Sequence, residues 1–212
     1  MRLLLLFIFV GLGYTSLLFA QYAITEIGVA AGPGYNYPLR FGVKKVKGHV
    51  GVQANAFCSR YFCGKKYGFH AFVGYRGFSR FTADFKDTAI KINGDVRFHY
   101  AEAGLLFKIR KNKFNRPNEN ALLIGPVLDV CFLERNKGIV PGEGRTFLLG
   151  VMACGWMRRE YKRRAFFIQP GVQAMLVPFL KGNAKFDFPF ETKWLTLYPF
   201  INIGYSFKTI RG

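Results

Sequence analysis

The segment from residue 194 to residue 207 alternates strictly between two kinds of side chain, and no other feature limits the fold as much. One set is apolar or aromatic: Leu195, Leu197, Pro199, Ile201, Ile203, Tyr205 and Phe207. The other set mixes polar residues, glycine and aromatic rings. Because successive side chains of a β-strand point to opposite faces, this period of two predicts a strand with one wholly apolar face. Such a face is turned inward in a soluble sheet and towards lipid in a membrane barrel.

The beginning of the chain decides between these two cases, because it has the features of an export signal. Arg2 is the only charged residue before Glu26, and residues 3–10 are an unbroken hydrocarbon run. Cleavage after Ala20 is expected, and an uncleaved anchor is the alternative, although a spanning helix needs about 20 apolar residues. We therefore expect a signal peptide over residues 1–20 and a single exported domain over residues 21–212.

The composition favours a membrane protein built from strands. The chain contains 24 Phe, 11 Tyr and 24 Gly, and its formal net charge is +19. No segment after the signal has the pattern of an uncharged spanning helix, whereas aromatic-rich alternating strands are typical of outer-membrane barrels. A large positive charge can indicate nucleic-acid binding. An exported chain seldom meets nucleic acid, so we expect no such partner.

The cysteines indicate neither a metal nor a cofactor. No Cys-x-x-Cys motif or Cys/His cluster occurs in the sequence, so we expect neither group to be bound. Cys58 and Cys63 flank a predicted turn. They either form a disulfide, as an exported protein can, or are isolated small hydrophobic residues. For Cys131 and Cys154 the second interpretation is favoured.

Eight segments are predicted strands, and most are long enough for a tilted membrane-spanning strand of about 9–11 residues. They cover residues 24–31, 49–61, 67–81, 95–110, 121–134, 146–156, 165–177 and 194–207. Their connections alternate between short ones, at 62–66, 111–120 and 157–164, and long ones, at 32–48, 82–94, 135–145 and 178–193. Outer-membrane barrels combine short periplasmic turns with long outer loops in this way. The predicted fold is therefore all-β, an eight-stranded antiparallel up-and-down transmembrane β-barrel with both termini on the periplasmic side.

Three prolines interrupt this pattern. Pro126, Pro170 and Pro199 lie inside predicted strands, where proline removes a hydrogen-bond donor from the ladder. A closed barrel has no edge strand to accommodate them. Each is therefore predicted to lie at a β-bulge, or else the strand boundaries are misplaced there.

Several short segments resemble a known family. They are residues 26–32 (EIGVAAG), residues 100–108 (YAEAGLLFK) and residues 124–127 (IGPV). Together with the exported start, they are similar to the small outer-membrane β-barrels of Bacteroidota that are called PorT-like. The similarity covers most of the mature chain through short, loose motifs. It implies an outer-membrane barrel and, for some members, an accessory part in a protein-secretion or gliding apparatus. The last strand ends on Tyr-Ser-Phe, as barrel-insertion signals do, so Tyr205 and Phe207 are the predicted insertion signal.

Two carboxylates are predicted to face each other inside the barrel. Glu102 and Asp129 project inward from adjacent strands, and a register centred on the 111–120 turn places them nearly opposite. Close carboxylates repel unless a cation intervenes, and Arg76 on the third strand is the expected partner. We interpret Arg76, Glu102 and Asp129 as a lumen ion network that plugs the barrel, with a proton-linked or catalytic cluster as the alternative.

Basic residues are concentrated in the short turns. A periplasmic basic rim is predicted from Lys111, Lys113, Arg158, Arg159, Lys162, Arg163 and Arg164. This rim either meets the phosphates of the outer-membrane lipid or docks an acidic periplasmic protein partner. In the docking interpretation, the four arginines of residues 158–164 form one patch in a single tight turn.

The functional expectation is an outer-membrane barrel with a structural or accessory role in an envelope assembly, with protein secretion as one such assembly. An eight-stranded barrel is filled by side chains, so the lumen is expected not to conduct. The alternatives are a soluble exported lipocalin-like barrel that binds a hydrophobic ligand and, third, an outer-membrane lipid-modifying enzyme. We expect no enzymatic activity, because no Gly-x-Ser-x-Gly or His-x-Ser signature is present.

Overall fold

The computed structural model describes residues 24–39, 45–61, 66–84, 93–111, 118–137, 142–144, 146–176, 180–182 and 195–210. Eight long strands occur in this part of the chain: β1 (Ile24–Tyr35), β4 (Val50–Tyr61), β5 (Tyr67–Asp84), β6 (Asn93–Arg110), β7 (Asn118–Lys137), β9 (Phe147–Tyr161), β10 (Arg164–Met175) and β12 (Leu195–Ile210). Four short strands accompany them: β2 (Tyr37–Leu39), β3 (Lys45–Gly48), β8 (Gly142–Gly144) and β11 (Leu180–Gly182). The predicted signal peptide, Cys63 and Lys113 lie outside the described residues.

The eight long strands form a closed antiparallel barrel. Each strand pairs with its neighbours in the order β1, β4, β5, β6, β7, β9, β10, β12, and β12 pairs in turn with β1. The closing seam runs from Ile24, opposite Ile210, to Gly34, opposite Phe200. The predicted eight-stranded antiparallel barrel is confirmed. No helix in the described ranges is long and apolar enough to cross a membrane.

Two of the short strands, β2 and β3, lengthen the barrel wall at the end that carries the long connections. Gly34 pairs with Phe200 and Tyr37 pairs with Leu197, so β2 continues β1 along β12 in one register. In the same way, β3 continues β4 along β5. Strands β8 and β11 pair only with each other and form a separate two-stranded sheet between two of the outer connections. Part of the long connection predicted over residues 32–48 is therefore strand.

The side-chain faces follow the predicted alternation. Ile201 and Ile203 on β12 are 54% and 63% exposed, whereas Asn202 and Ser206 between and beyond them are fully buried. The same alternation continues without a break along β4. Because the barrel interior is the buried side, the apolar set of each strand covers the outside of the wall and the polar and aromatic set fills the lumen.

The three strand prolines do not lie at bulges, and that expectation was wrong. The register shifts of the described strands fall elsewhere, between Arg76 and Ser79 and between His99 and Tyr100. Each proline keeps its pairing with one neighbouring strand, as in Pro126 opposite Val151, Pro170 opposite Ile201 and Pro199 opposite Val172. Pairing with the other neighbour is interrupted there. The physical reason is that an N–H points to only one side of its strand, so proline weakens one ladder and leaves the other intact.

A layer of rings closes the middle of the lumen. Phe57 of β4 contacts Trp156 of β9 edge-to-face, with 5.3 Å between the ring centroids. Trp156 also stacks on Phe167 of β10 at 4.0 Å, and His70 of β5 stacks on Phe57 at 4.7 Å. Three strands separate β4 from β9 in either direction around the barrel. The Phe57–Trp156 contact therefore joins opposite walls and leaves polar groups on either side of this middle layer.

Candidate functional site

The half of the lumen nearer the long connections contains the predicted ion network. Glu102 of β6 lies directly opposite Asp129 of β7, and the Arg76 guanidinium of β5 forms an ion pair with Asp129. All three side chains are almost completely buried. The register across the 111–120 connection places the carboxylates as expected, and the inward face of β5 brings the cation to them.

Two glutamines complete this group, which we call the outer cluster: Gln53, Arg76, Glu102, Asp129 and Gln173. Gln53 Nε2 donates to Glu102 Oε2 at 2.7 Å, and Gln173 Nε2 lies 3.5 Å from Asp129 Oδ1. Arg76 therefore forms its ion pair with Asp129, while Glu102 accepts a hydrogen bond from the side-chain amide of Gln53.

The Arg76 guanidinium is also enclosed by aromatic rings. Its central carbon lies 4.7 Å from the ring centroid of Tyr100 and 5.1 Å from that of Tyr198. Such contacts stabilise a cation by roughly 0.5–2 kcal/mol, and more strongly where water is excluded. The arginine is thus held from two sides by rings and from a third by Asp129, which fixes its position in the lumen.

A second charged group fills the other half of the lumen, on the side of Ile24 and Ile210, and was not predicted. We call it the inner cluster: Glu26, Lys108, Arg110, Glu119 and Arg158. Arg158 Nε bonds to Glu26 Oε1 at 2.7 Å, and Lys108 Nζ lies 3.0 Å from Glu119 Oε1 and 3.7 Å from Glu26 Oε2. Arg110 forms an ion pair with Glu119. All five side chains are buried, so each charge depends on its partners.

Hydroxyl groups also donate to both carboxylates of the inner cluster. Ser206 Oγ donates to Glu26 Oε1 at 2.5 Å, and the Tyr61 hydroxyl donates to Glu119. Glu26 and Ser206 belong to β1 and β12, the strands that close the barrel. The inner cluster therefore joins the closing seam to β6, β7 and β9 through the interior.

The basic rim is smaller than predicted, because Arg158 belongs to the inner cluster. Strand β9 continues to Tyr161, and β10 begins at Arg164. The alternation of β9 therefore extends past Trp156 and turns Arg158 inward and Arg159 outward. The predicted patch of four arginines in one turn is wrong at this position. The exposed members in the described residues are Lys111, Arg159, Lys162, Arg163 and Arg164.

Sequence reasoning missed the inner cluster because it ended two of the contributing strands too early and matched no carboxylate to the inward cations of a third. Lys108 and Arg110 lie within the predicted strand over residues 95–110 and continue the inward set that contains Glu102 and Gly104. Glu119 begins the inward set of β7 before the predicted start of that strand. Extending the alternation of these strands by two residues at the affected ends predicts that Glu119 and Arg158 point inward.

A serine and a histidine meet in the middle layer without forming an accessible site. Ser59 Oγ and His70 Nδ1 share a hydrogen bond of 2.6 Å, and both residues are buried. The His70 ring is covered by Phe57 and Trp156, so a substrate has no approach. In the described part of the chain, no group of three or more His, Cys, Asp or Glu side chains could hold a metal ion.

The residues of the predicted insertion signal lie on the outer face of β12. The rings of Tyr205 and Phe207 contact each other edge-to-face, with centroids 4.8 Å apart, and Tyr205 also contacts Phe166 of β10 at 5.0 Å. Strand β12 continues beyond them to Ile210. Cys58 carries a free thiol on the outer face of β4, and its possible partner Cys63 is outside the described residues.

Comparison with known proteins supports the fold. A major outer membrane protein from Thermus thermophilus superimposes with a TM-score of 0.55 at 12% identity, covering 87% of this chain and 99% of the other. Neisserial surface protein A matches with a TM-score of 0.46 at 11% identity, over 86% of this chain and 97% of the other. The attachment invasion locus protein Ail of Yersinia pestis matches with a TM-score of 0.43 at 15% identity, over 86% and 99%.

The Thermus thermophilus protein shares an architecture with this chain and little sequence. No family model matches the chain, and no curated protein matches it. The resemblance to PorT-like barrels therefore stays a prediction. The geometry of the wall and the similarity to the Thermus thermophilus protein lead to one conclusion: the chain has the fold of the small eight-stranded barrels found among outer-membrane proteins.

Proposed function

We propose that this protein is an outer-membrane barrel with a plugged lumen, and that its role is structural or accessory to an envelope assembly. The observation that carries the proposal is the contact between Phe57 and Trp156, whose rings meet from opposite walls. A lumen closed by side chains cannot conduct freely, so the function of the barrel depends on its surfaces and not on a pore.

The outside of the wall supports a location in lipid. Large apolar side chains are exposed on neighbouring strands, for example Val29, Val73, Leu105, Phe166, Ile201 and Ile203. A soluble protein seldom exposes a continuous apolar surface of this kind. Export by the predicted signal peptide and the PorT-like resemblance agree with an outer-membrane location and an accessory role.

The same packing disfavours the alternatives. A lipocalin-like carrier needs an apolar cavity for its ligand and a polar outer surface, whereas here ionic clusters and aromatic rings occupy the lumen. A lipid-modifying enzyme needs a nucleophile that substrate can reach, and the Ser59–His70 pair is sealed under rings. We therefore expect neither ligand transport nor catalysis.

The test of the main proposal combines location with conductance. The protein should remain in the outer-membrane fraction after a carbonate wash, and its unboiled form should migrate differently from its boiled form on a gel. Reconstituted in planar bilayers, it should show no steady ionic current. A protein released with the periplasm would refute the location, and a reproducible open-channel current from pure protein would refute the plugged lumen.

Docking of an acidic periplasmic protein at the basic rim is the partner proposal. Arg159, Lys162, Arg163 and Arg164 are all exposed at the β9–β10 turn, and Lys162 holds the turn in a left-handed backbone conformation with φ of 58°. Four cations within one turn create a local field that extends over about 8 Å at physiological ionic strength. This field attracts negatively charged groups, which can belong to an acidic surface of a partner protein or to lipid phosphates.

The two occupants of the rim are separated by a charge-removal variant and a charge-retaining control. Arg159, Lys162, Arg163 and Arg164 are replaced by glutamine in the first variant, while the three arginines are replaced by lysine in the control. Docking predicts a normally inserted barrel that loses one co-purifying protein in the glutamine variant and retains it in the lysine control. An unchanged set of co-purifying proteins would show that the rim serves only lipid.

A further inference from the structure

The outer cluster carries more negative than positive charge. Glu102 and Asp129 face one cation, Arg76, and all three side chains are at least nine-tenths buried. Arg76 forms its ion pair with Asp129. In the described part of the chain, no lysine or arginine forms an ion pair with Glu102. One negative charge is therefore left without a direct partner in a lumen from which water is largely excluded, which is costly.

The same cluster has an excess of hydrogen-bond acceptors. Three buried oxygens of this cluster have no hydrogen-bond partner among the described residues: Glu102 Oε1, Gln53 Oε1 and Gln173 Oε1. They belong to one connected group, because Gln53 bonds to Glu102 and Gln173 lies against both carboxylates. Against these three oxygens stands a single unpartnered nitrogen of the cluster, Arg76 Nε. A buried polar atom without a partner normally indicates a missing ligand, ion or water.

Both imbalances point to a bound cation. Water would supply hydrogens but no charge, and a proton on Glu102 would supply the charge but satisfy only one oxygen. A divalent ion would replace an excess of one negative charge by an excess of one positive charge. Carboxylate and amide oxygens are ligands of hard metal cations. We propose that the outer cluster binds one alkali-metal cation, Na⁺ or K⁺, through Glu102, Gln53 and Gln173.

The site links three walls of the barrel. Gln53 is on β4, Glu102 on β6 and Gln173 on β10, so one ion tethers strands that do not pair with each other. Binding to the folded barrel alone must stabilise it by mass action. The cation would therefore be a structural ligand of the outer half, independent of the location or partner of the barrel.

The experiment measures unfolding of the full-length mature protein in detergent micelles. Urea titrations are compared in sodium chloride, potassium chloride and N-methylglucamine chloride at equal ionic strength, so that general screening cancels. Above the dissociation constant, each tenfold rise in the free concentration of the metal ion that binds should increase the folded-to-unfolded ratio about tenfold. N-methylglucamine is too large for the site and should have no such effect.

Two variants show whether the effect belongs to the outer cluster. Glu102→Gln keeps the shape and removes the charge, so it should abolish the difference between metal and organic cations. Glu26→Gln removes a buried carboxylate of the inner cluster, so it should weaken the barrel yet keep the full difference. If Glu102→Gln does not fold, Gln53→Met replaces it, because it removes one proposed ligand and leaves every charge in place.

Three outcomes would overturn the proposal. The first is equal stability of the unmodified protein in all three salts. The second is an ion-specific effect that the outer-cluster variants retain. The third is stability that changes between pH 6 and pH 8 but not with the cation, which would show that a proton on Glu102 neutralises the cluster instead. Stabilisation by one alkali cation, lost in the outer-cluster variant alone, would support it.

Discussion

Replacing Glu26 with glutamine should destabilise the barrel, because it removes one of the two carboxylates that hold the inner cluster together. The substitution keeps the volume of the side chain and removes its charge. Glu26 accepts from Arg158 Nε at 2.7 Å and from Ser206 Oγ at 2.5 Å, and it lies 3.7 Å from Lys108 Nζ. The variant therefore leaves two buried cations with less compensation.

The magnitude follows from what the two cations retain. Removing one partner of a buried ion pair costs about 3–5 kcal/mol, because it leaves an uncompensated buried charge. Lys108 keeps Glu119 at 3.0 Å, and Arg158 keeps Glu160 at 3.0 Å. We therefore expect the lower end of that range, about 3 kcal/mol in the free energy of unfolding.

Glu160→Gln is the matched control, because Glu160 bonds to the same arginine from a more exposed position. Its side chain is 22% accessible, whereas that of Glu26 is completely buried. Ion pairs near the surface contribute about 0–1 kcal/mol. The control should therefore cost less than about 1 kcal/mol, and the difference between the two variants reports the burial of Glu26.

The assay is urea unfolding in micelles, followed by the fluorescence of Trp156 in a Trp194→Phe background. Trp156 is completely buried between Phe57 and Phe167, so its emission should change when the lumen opens. The slope of the free energy against urea should stay constant, which shows that the same surface is exposed on unfolding. If Glu26→Gln costs no more than Glu160→Gln, the inner cluster does not hold the seam and the reasoning fails.

Three further experiments test the wall and the outer cluster. Ile201→Arg, on the outer face near mid-strand, should lower the free energy of unfolding by about 2–4 kcal/mol. Phe207→Arg, near the strand end, should lower it by only about 0–1 kcal/mol, because the cost of a charge on the lipid face falls towards the interface. Equal unfolding free energies for the two variants would contradict the lipid-facing assignment. Arg76→Leu should lower the free energy of unfolding by about 3–5 kcal/mol, because it leaves Asp129 buried without its partner. The double variant with Asp129→Leu should regain part of this loss. Strictly additive losses in a double-mutant cycle would mean that the two residues do not interact. Gly204→Ala should lower the free energy of unfolding by about 1–3 kcal/mol through overpacking. The added Cβ would meet the Phe167 ring and the carbonyl oxygen of Val29. An unchanged urea midpoint would show that the seam can relax around the extra methyl group.

The fold and the facing of the strands could be predicted because they depend on local pattern. Ile201 and Asn202 are neighbours, and their opposite faces follow from the pleat of a single strand. The pairing of Glu102 with Asp129 follows almost as directly, because both strands leave one short connection and the register is counted outward from it. These predictions needed no knowledge of how the barrel closes.

The extent of the strands was harder to predict from the sequence. Polar and basic residues at the start of β7 and at the end of β9 have the composition of turns, so the sequence predicts Arg158 in the rim. The structure shows it inside, because the neighbouring strands continue the ladder and the lumen offers carboxylates to a buried cation. A strand end is decided by whether a partner strand is present, and composition alone does not report that.

The sequence by itself determined the alternation of the wall: a period of two gives each strand one apolar face and one mixed face whatever its partners, because the pleat acts within each strand. Only the tertiary structure decided which charges meet. Glu26 is 132 residues from Arg158 and 180 residues from Ser206 in the chain, and these groups become neighbours only when β12 closes on β1. Contacts across the lumen depend on the number of strands, their register and the closing seam together, and no local period encodes that combination.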